Sequence, residues 1–265
     1  MNPEVAALEA NLWSMWAQFG RGRDCRLVDH PEVLRFETPL AQVPYNAVVR
    51  FRAPADDADA SIAAVLEPYR VRGVPPVWFV HPSARPVDLG TRLAEHGLVR
   101  AEAIPGMVAC LDDVPAPGPQ PDGIVVEEVH LDDLDPFIDL ISWRYDLATE
   151  AAPVLGSIID AARFGEPGSP NRAWIARRDG HAVAKASLHL GGGVAGIYGV
   201  ATRADARRLG LASHLTARAV AAARAAGAAV AVLHSSPMAV GLYRTLGFRL
   251  VADFELYAEP NTLHL

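Results

Sequence analysis

The stretch from Val200 to Gly247 constrains the fold of this chain more than any other part of it. It reads as an apolar strand, a corner rich in arginine and glycine, and a long alanine-rich helix. A second apolar strand follows, and then a short helix that ends in Gly-Phe. The stretch therefore predicts a strand–helix–strand unit in which the long helix begins at the corner.

The corner, RRLGLA over Arg207–Ala212, has the form R-x-x-G-x-A at the start of a helix. The first turn of a helix has four free backbone N–H groups and a partial positive charge, so it attracts a phosphate or pyrophosphate group. Gly210 and Ala212 let the backbone approach such an anion closely, and two arginines add charge. The alternative is that Gly210 only relieves a turn and Ala212 only packs. The three residue types in one motif favour phosphate binding.

The stretch resembles the acyl-CoA-binding half of the GCN5-related N-acetyltransferases, the GNAT superfamily. The resemblance is carried by Val200 and Thr202 before the corner, by the corner itself, and by SSPM (235–238) and LYRTLGF (242–248) after the second strand. The corner alone is a weak signal, whereas its combination with LYRTLGF at this distance is specific. Residues 123–265 follow the order β-α-α-β-β-β-α-β-α-β expected of the superfamily, with Asp-Gly at 179–180 as a hairpin turn.

Composition agrees with an enzyme of the reducing cytoplasm. The 265 residues are 51% hydrophobic, and the net charge of −7 argues against a nucleic-acid-binding surface. Cys25 and Cys110 lie far apart, so neither a structural disulfide nor a zinc site is expected. The chain begins without the pattern of a secretory signal, and no uncharged apolar run is long enough to span a membrane. We expect a cytoplasmic protein that binds no metal and no membrane.

A proline-rich segment, DDVPAPGPQPD at 112–122, divides the chain into two parts of domain size. The fold class predicted is α/β (α+β), with two acetyltransferase-like domains, each a mixed, largely antiparallel sheet flanked by helices. The resemblance implies that residues 123–265 form the acetyl-CoA-binding N-acetyltransferase domain, that residues 112–122 are a linker, and that residues 1–115 form a degenerate copy without the cofactor loop. The alternative for 1–115 is an unrelated α/β accessory domain.

The evidence for the degenerate copy is the element order and one short alignment. LAEHGL (93–98) matches YRTLGF (243–248) with leucine in place of tyrosine. The corner of the first copy, APADD at 53–57, has no glycine and places two carboxylates where the other copy has arginines. Carboxylates at that place would repel a pyrophosphate. In the second copy, the long helix is predicted to bury one face made of Ala212, Leu215, Ala219, Ala222 and Ala226.

The resemblance implies roles for individual residues. The backbone N–H of Val200 would polarise the thioester carbonyl, and Tyr243 would protonate the departing CoA thiolate. Alternatively, Tyr243 is only a core residue. Ser235 and Ser236 would hydrogen-bond the pantetheine arm or the substrate, or would cap the helix that begins near Pro237. The cofactor-binding residues implied are Val200, Ala201, Thr202, Arg207, Arg208, Leu209, Gly210, Leu211, Ala212, Ser213, Ser236 and Tyr243.

No general base stands out in the sequence. The strand 194–200 contains no carboxylate, and its only polar side chain is that of Tyr198. Candidates elsewhere are His234, His189, Asp146 and Glu150, and deprotonation through water without a dedicated side chain is a further alternative. The residues expected to contact the acceptor are Trp143, Tyr145, Asp146 and Tyr198, with Arg144 as a further residue of the pocket lining.

The function predicted is acetyl transfer from acetyl-CoA to an amine by direct attack in a ternary complex. The acceptor is a small-molecule amine or a peptide amine, and the chain is a monomer or a homodimer. The alternative is a non-catalytic sensor or scaffold that binds acyl-CoA. Transfer to a hydroxyl, or transfer of a longer acyl group, also fits the sequence.

Overall fold

The computed structural model describes residues 2–260 and 262, which form a single mixed sheet of eleven strands with seven α-helices. The strands are β1 (Arg26–Asp29), β2 (Val33–Glu37), β3 (Ala47–Phe51), β4 (Val77–Val80), β5 (Val99–Cys110), β6 (Ile124–Glu128), β7 (Asn171–Arg178), β8 (His181–Gly191), β9 (Val194–Thr202), β10 (Val230–His234) and β11 (Arg249–Ala258). The helices are α1 (Pro3–Trp16), α2 (Ala58–Arg72), α3 (Leu89–Glu95), α4 (Asp135–Arg144), α5 (Ala152–Ala161), α6 (Leu211–Ala225) and α7 (Val240–Thr245). The predicted α/β fold class is confirmed.

The two halves of the chain exchange their last strands. The order across the sheet is β1-β2-β3-β4-β11-β5-β10-β9-β8-β7-β6. Strand β11 of the second half pairs with β4 of the first, β5 of the first half pairs with β10 of the second, and β5 and β11 pair with each other at the centre. One sheet therefore runs through both predicted domains, and the division at 112–122 remains a division of the sequence.

Helix ends that precede the exchanged strands repeat one local geometry. The Leu98 N–H donates to the Leu93 carbonyl at 3.0 Å, and the Phe248 N–H donates to the Tyr243 carbonyl at 3.0 Å. The residue before each donor is a glycine, with φ of +91° at Gly97 and +90° at Gly247. This is a C-terminal helix cap that requires a left-handed residue. Residues 93–98 and 243–248 therefore share a backbone conformation as well as a sequence pattern.

The corners of the two halves differ by an inserted loop. Pro54 and Arg203 share a φ of −55° and a ψ of 147°, and each starts a short 3₁₀ turn. In the first half α2 begins directly after that turn, whereas in the second half the loop 207–210 comes before α6. The acidic pair at 56–57 therefore lies in the 3₁₀ turn and does not replace the arginines. The described part of the first half therefore has no counterpart of the loop 207–210.

The buried face of α6 is shifted from the predicted one. Ala226 is exposed and lies beyond the helix, and Ala212 and Ala222 are only half-buried. The helix begins at Leu211 and packs that residue into the core, which sets the phase of the face. The residues it buries are Leu211, Leu215, Thr216, Ala217, Ala219, Val220 and Ala223.

Helices α1 and α6 cover opposite faces of the sheet. Alternate residues of β10 show this, because Leu233 joins the core cluster under α6 and Val232 joins the one under α1. Helix α1 was not foreseen in the sequence, and it buries one amide among the strands. Asn11 Nδ2 donates to the carbonyls of Gly191 at 2.8 Å and Val194 at 3.1 Å. Its Oδ1 accepts from the Tyr198 hydroxyl at 2.6 Å.

Replacing Asn11 with alanine is expected to lower the free energy of unfolding by ~3 kcal/mol, because buried carbonyls and a buried hydroxyl lose their partner. Urea denaturation measures the change. Asn2→Ala is the matched control, because the exposed Asn2 side chain only accepts from the Glu4 N–H at the start of α1. Its loss is expected to cost about 1 kcal/mol. Equal losses for the two variants would contradict the structural role of Asn11.

Candidate active site

The seam between β9 and β10 opens beside Val200. The two strands run parallel and pair from Ala195–Ala231 to Ile197–Leu233, and no residue of β10 is paired with β9 beyond that point. Gly199 has a φ of +58°, and the pairing with β8 shifts register opposite it. The backbone of Val200 therefore lies at the start of a gap between two strands, as its predicted role requires.

The loop before α6 is an exposed concave turn of backbone. Arg208 and Gly210 have φ values of +65° and +75°, and Gly210 is the N-cap residue of α6. Among the described residues, no backbone carbonyl accepts from the N–H groups of 211–213. A Cβ built on Gly210 meets nothing within 4 Å, so the space over the loop is open. Arg207 and Arg208 are exposed and form no ion pair within the described part of the chain.

Tyr243 lies in α7 with its ring in the core. It packs edge-on to Phe248 at 5.9 Å between ring centroids, and Val200 packs against the same core cluster. Burial raises the pKa of Tyr243 to about 12. Its hydroxyl forms no hydrogen bond with the described residues. The ring therefore packs in the core, and the hydroxyl is free to bond a ligand.

The two serines after β10 do not cap the turn that follows. Ser236 occupies the N-cap position of the 3₁₀ turn Pro237–Ala239, but its side chain makes no capping hydrogen bond. The Ser235 hydroxyl donates to the Ser236 carbonyl at 2.7 Å. Both serines line a cleft on the α1 face of the sheet.

Two adjacent cavities lie on the α1 face. The outer cleft has a volume of about 520 Å³, and both halves of the chain line it. The inner chamber has a volume of about 130 Å³ and a mostly apolar wall from α1, α4 and α5. No residue of α6 lines either cavity. The residues shared by the two walls are Trp16, Tyr145, Tyr198 and Gly199.

The structure separates the predicted acceptor residues into two groups. Tyr145 and Tyr198 lie in the wall shared by the cleft and the chamber, and Arg144 lines the cleft. Trp143 is exposed beneath the guanidinium of Arg203, and Asp146 is exposed after the end of α4. Neither of these two lines the cleft or the chamber. Trp143 lies on the side of α4 away from Phe137 and Ile141, which line the chamber, and Asp146 lies beyond the helix.

Of the four candidate bases, only the two histidines reach the cavities. His189 lines the chamber, but Asn171 Oδ1 at 2.8 Å and Ser14 Oγ at 2.9 Å occupy its two ring nitrogens. His234 lines the cleft with neither ring nitrogen bonded to a described residue. Burial lowers the pKa to about 4 for His189 and to about 3 for His234. Glu150, like Asp146, is exposed.

Two residues with charged side chains that line the cavities were missed in the sequence. Glu102 on β5 lines the cleft, and only the strand exchange brings it there. Lys185 on β8 lines the chamber and is buried. A signal for Lys185 was present, because the chain has 24 basic residues and Lys185 is its only lysine.

In the first half, the place that corresponds to the gap beside Val200 is occupied by the side chains of His81 and Glu9. Phe51 lies three residues before the corner residue Pro54, as Val200 lies three residues before Arg203. His81 precedes the proline after β4, as Ser236 precedes the proline after β10. The Phe51 N–H donates to His81 Nε2 at 3.5 Å. The buried Glu9 of α1 contacts His81 Nδ1 at 3.1 Å.

Glu9 binds a second group of the first half. Its carboxylate accepts from the Ser83 hydroxyl at 2.6 Å and from the Ser83 N–H at 2.8 Å. Burial raises the pKa of Glu9, but hydrogen bonds to His81 and Ser83 outweigh it and hold the pKa below its usual value. A charged, fully bonded carboxylate thus closes the place where the second half is open.

Within the described residues, no group of three His, Cys, Asp or Glu side chains is placed to hold a metal ion. No helix among them is long and apolar enough to cross a membrane.

Known proteins share both a sequence pattern and a fold with this chain. The model of the acetyltransferase (GNAT) family matches residues 137–248. No curated protein matches the chain. A GCN5-related N-acetyltransferase from Kribbella flavida superposes with a TM-score of 0.67 at 21% identity, covering 94% of this chain and 96% of that one.

Two further structures share the fold. A tandem GNAT protein from the clavulanic acid biosynthesis pathway has a TM-score of 0.63 at 14% identity, with 93% of this chain and 86% of that one covered. A GCN5-related N-acetyltransferase from Sphaerobacter thermophilus has a TM-score of 0.58 at 17% identity, with 88% and 82% covered. The resemblance predicted from the sequence is confirmed: residues 137–248 match the acetyltransferase (GNAT) family, in a chain that shares the fold of a GCN5-related N-acetyltransferase over 94% of its length.

Proposed function

We propose that this protein transfers the acetyl group of acetyl-CoA to an amine by direct attack in a ternary complex. The observation that carries the proposal is the opened seam beside Val200, because the neighbouring residue Gly199 lines both cavities and the loop at the start of α6 follows β9 in the chain. A donor held at the loop would pass its thioester through the gap. The acceptor would meet it from the α1 face.

The loop has the features that a pyrophosphate requires. The N–H groups of 211–213 have no backbone acceptor in the described structure, and the open space at Gly210 admits an anion. In this assignment the N–H of Val200 polarises the thioester carbonyl. Acetyl-CoA supplies the activated acyl group, and the protein supplies its orientation.

Tyr243 is the proton donor in this proposal. Its hydroxyl, with a pKa raised to about 12 by burial, stays protonated at neutral pH and has no partner among the described residues. A phenol held beside the departing sulfur can act as a general acid and transfer its proton as the bond from carbon to sulfur breaks. The first half has Leu93 in the corresponding place, so only one copy retains the donor. This asymmetry favours catalysis over a purely binding role.

The inner chamber favours an acceptor that carries a compact apolar group. Its wall contains Phe19, Tyr45, Phe137 and Ile158, and its volume of about 130 Å³ suits a single ring or a branched alkyl group. An engineered apolar cavity of about 150 Å³ in another protein binds benzene. We therefore include a small amine with an aryl or branched alkyl group as the first acceptor class.

Calorimetric titration with acetyl-CoA tests the donor, and release of the CoA thiol tests the reaction. The acceptor panel pairs phenethylamine and isopentylamine with the polar amines spermidine and glucosamine. Micromolar binding with thiol release in the presence of an apolar amine supports the proposal. Binding without thiol release for any amine favours the sensor or scaffold function. If acetyl-CoA does not bind to the folded protein, both the acetyltransferase function and the acyl-CoA sensor or scaffold function are excluded.

A further inference from the structure

Lys185 stands out by its chemistry as well as by its position. The other 23 basic residues are arginines, yet a lysine occupies the most buried basic position. Its amine donates to the Gly199 carbonyl at 2.9 Å, one residue before Val200. The nitrogen lies 5.6 Å from the centroid of the Phe137 ring, inside the chamber. The amine is therefore next to the opened seam and on the acceptor side of it.

The surroundings of Lys185 do not provide a counter-ion. No Asp or Glu lines the chamber, and no carboxylate in the described part of the chain forms an ion pair with this amine. Buried charges in proteins are normally paired, so an unpaired buried amine is stable only when it can give up its proton. Arginine cannot do this, because a guanidinium stays charged in proteins. Lysine is therefore the basic residue that suits a buried site in which the side chain gains and loses a proton.

Among the titratable groups that line the chamber, the Lys185 amine is the one whose charge changes near neutral pH. Burial, and then the nearby charge of Arg144, lower the pKa of Lys185 to about 8. Burial lowers the pKa of His189 to about 4, so that ring is neutral. Burial also raises the pKa of the Tyr145 and Tyr198 hydroxyls, which therefore stay protonated. Tyr45, the third tyrosine of the wall, has its pKa raised by burial in the same way.

We propose that Lys185 is the catalytic base of this site and takes the proton that the acceptor nitrogen loses. The inference rests on the proposed function. In the step, the amine nitrogen forms a bond to the acyl carbon, and the bond from that carbon to sulfur breaks. The nitrogen's proton moves to the uncharged Lys185 amine, and the thiolate takes a proton from Tyr243. Solvent then removes the proton from the Lys185 ammonium and restores the proton on Tyr243.

The other titratable groups of the two cavities are less suited to this step. The ring nitrogens of His189 are both bonded. His234 lies in the cleft with its pKa lowered to about 3 by burial, which makes it too weak a base for an ammonium proton. A competing role for Lys185 is that of a permanent cation that binds an anionic group on the acceptor.

Because the chain has one lysine, labelling with ¹³Cε-lysine produces a single side-chain resonance that needs no assignment. We expect this resonance to titrate near 8 in the wild-type protein instead of near the ordinary 10.5. A midpoint at the ordinary value would overturn the proposal. The measurement requires no turnover, so its outcome is independent of whether the protein binds acetyl-CoA. Failure of calorimetric binding with a midpoint near 8 would contradict the proposed function on which the inference rests, and would leave only the lowered pKa of Lys185 established.

Two variants separate a base from a fixed charge. Lys185→Met is expected to lower kcat by ~100-fold or more with acetyl-CoA and the best amine of the panel, and to remove the rise of kcat through the measured midpoint. Lys185→Arg keeps the positive charge but cannot accept a proton, and it is expected to lower kcat by the same factor. Unchanged acetyl-CoA affinity shows that each variant is folded. Rescue by arginine, or a change confined to the KM of the amine, would overturn the proposal in favour of anion binding.

Discussion

Replacing Gly210 with glutamate is expected to abolish acetyl-CoA binding and to leave the protein folded. The side chain would extend into the open space over the loop, where its bulk and negative charge oppose the pyrophosphate. We expect the dissociation constant to rise by at least ~100-fold, which corresponds to about 3 kcal/mol. Calorimetric titration with acetyl-CoA measures it, and circular dichroism checks the fold.

Gly227→Glu is the matched control for that variant. Gly227 follows α6 at its other end, with a φ of +84° against +75° at Gly210, and a Cβ there also meets nothing within 4 Å. Both variants carry similar backbone strain, of order 1 kcal/mol, for a side chain in the left-handed region. Only Gly210→Glu places a carboxylate at the helix N-terminus. Retained affinity in folded Gly210→Glu, or equal losses in the two variants, would remove the cofactor assignment.

Tyr243→Phe is expected to lower kcat by ~100-fold while the affinity for acetyl-CoA changes little. The substitution keeps the ring in the core beside Phe248 and removes only the hydroxyl, which has no hydrogen-bond partner among the described residues. Loss of a general acid costs a factor of this size, because the thiolate must then take its proton from water. Steady-state kinetics with the best amine, together with calorimetry, separates the two effects.

Tyr257→Phe serves as the control for Tyr243→Phe. The Tyr257 hydroxyl contacts Glu255 at 3.3 Å, and its ring packs in the core cluster of the first half, away from the seam. We expect kcat to be unchanged in this variant. An unchanged kcat in Tyr243→Phe as well would leave Tyr243 with a packing role only, and the leaving thiolate would then depart without a protein acid.

Most local structure of this chain was predictable because it depends on residues close together in sequence. The Asp179-Gly180 turn forms as expected, with φ of 51° and 80° that suit a primed hairpin turn. The corner at Gly210 starts a helix, and the glycine after α7 ends one. Each of these depends on a conformational preference of one or two residues. The resemblance to a known family rests on the same local motifs.

The residues of the site were only partly predictable. The loop 207–213 and Val200 lie where the motif predicted, whereas Trp143 and Asp146 lie outside both cavities. Position along α4 does not show which side of the helix will face a cavity, because that depends on what packs against it. The identity of Lys185 as the only lysine was readable from the sequence, but its distance to Gly199 was not.

Most helices and strands of the second half, the corner at Gly210 and the resemblance to the acetyltransferase family were readable from the amino-acid sequence, because these depend on short-range patterns of side-chain type and backbone preference. Three features depend on long-range packing: the exchange of β5 and β11, the contact of Glu9 on α1 with His81, and the place of Glu102 in the wall of the cleft. Strand partners are chosen by packing and hydrogen bonding between segments more than a hundred residues apart. No local pattern encodes that choice.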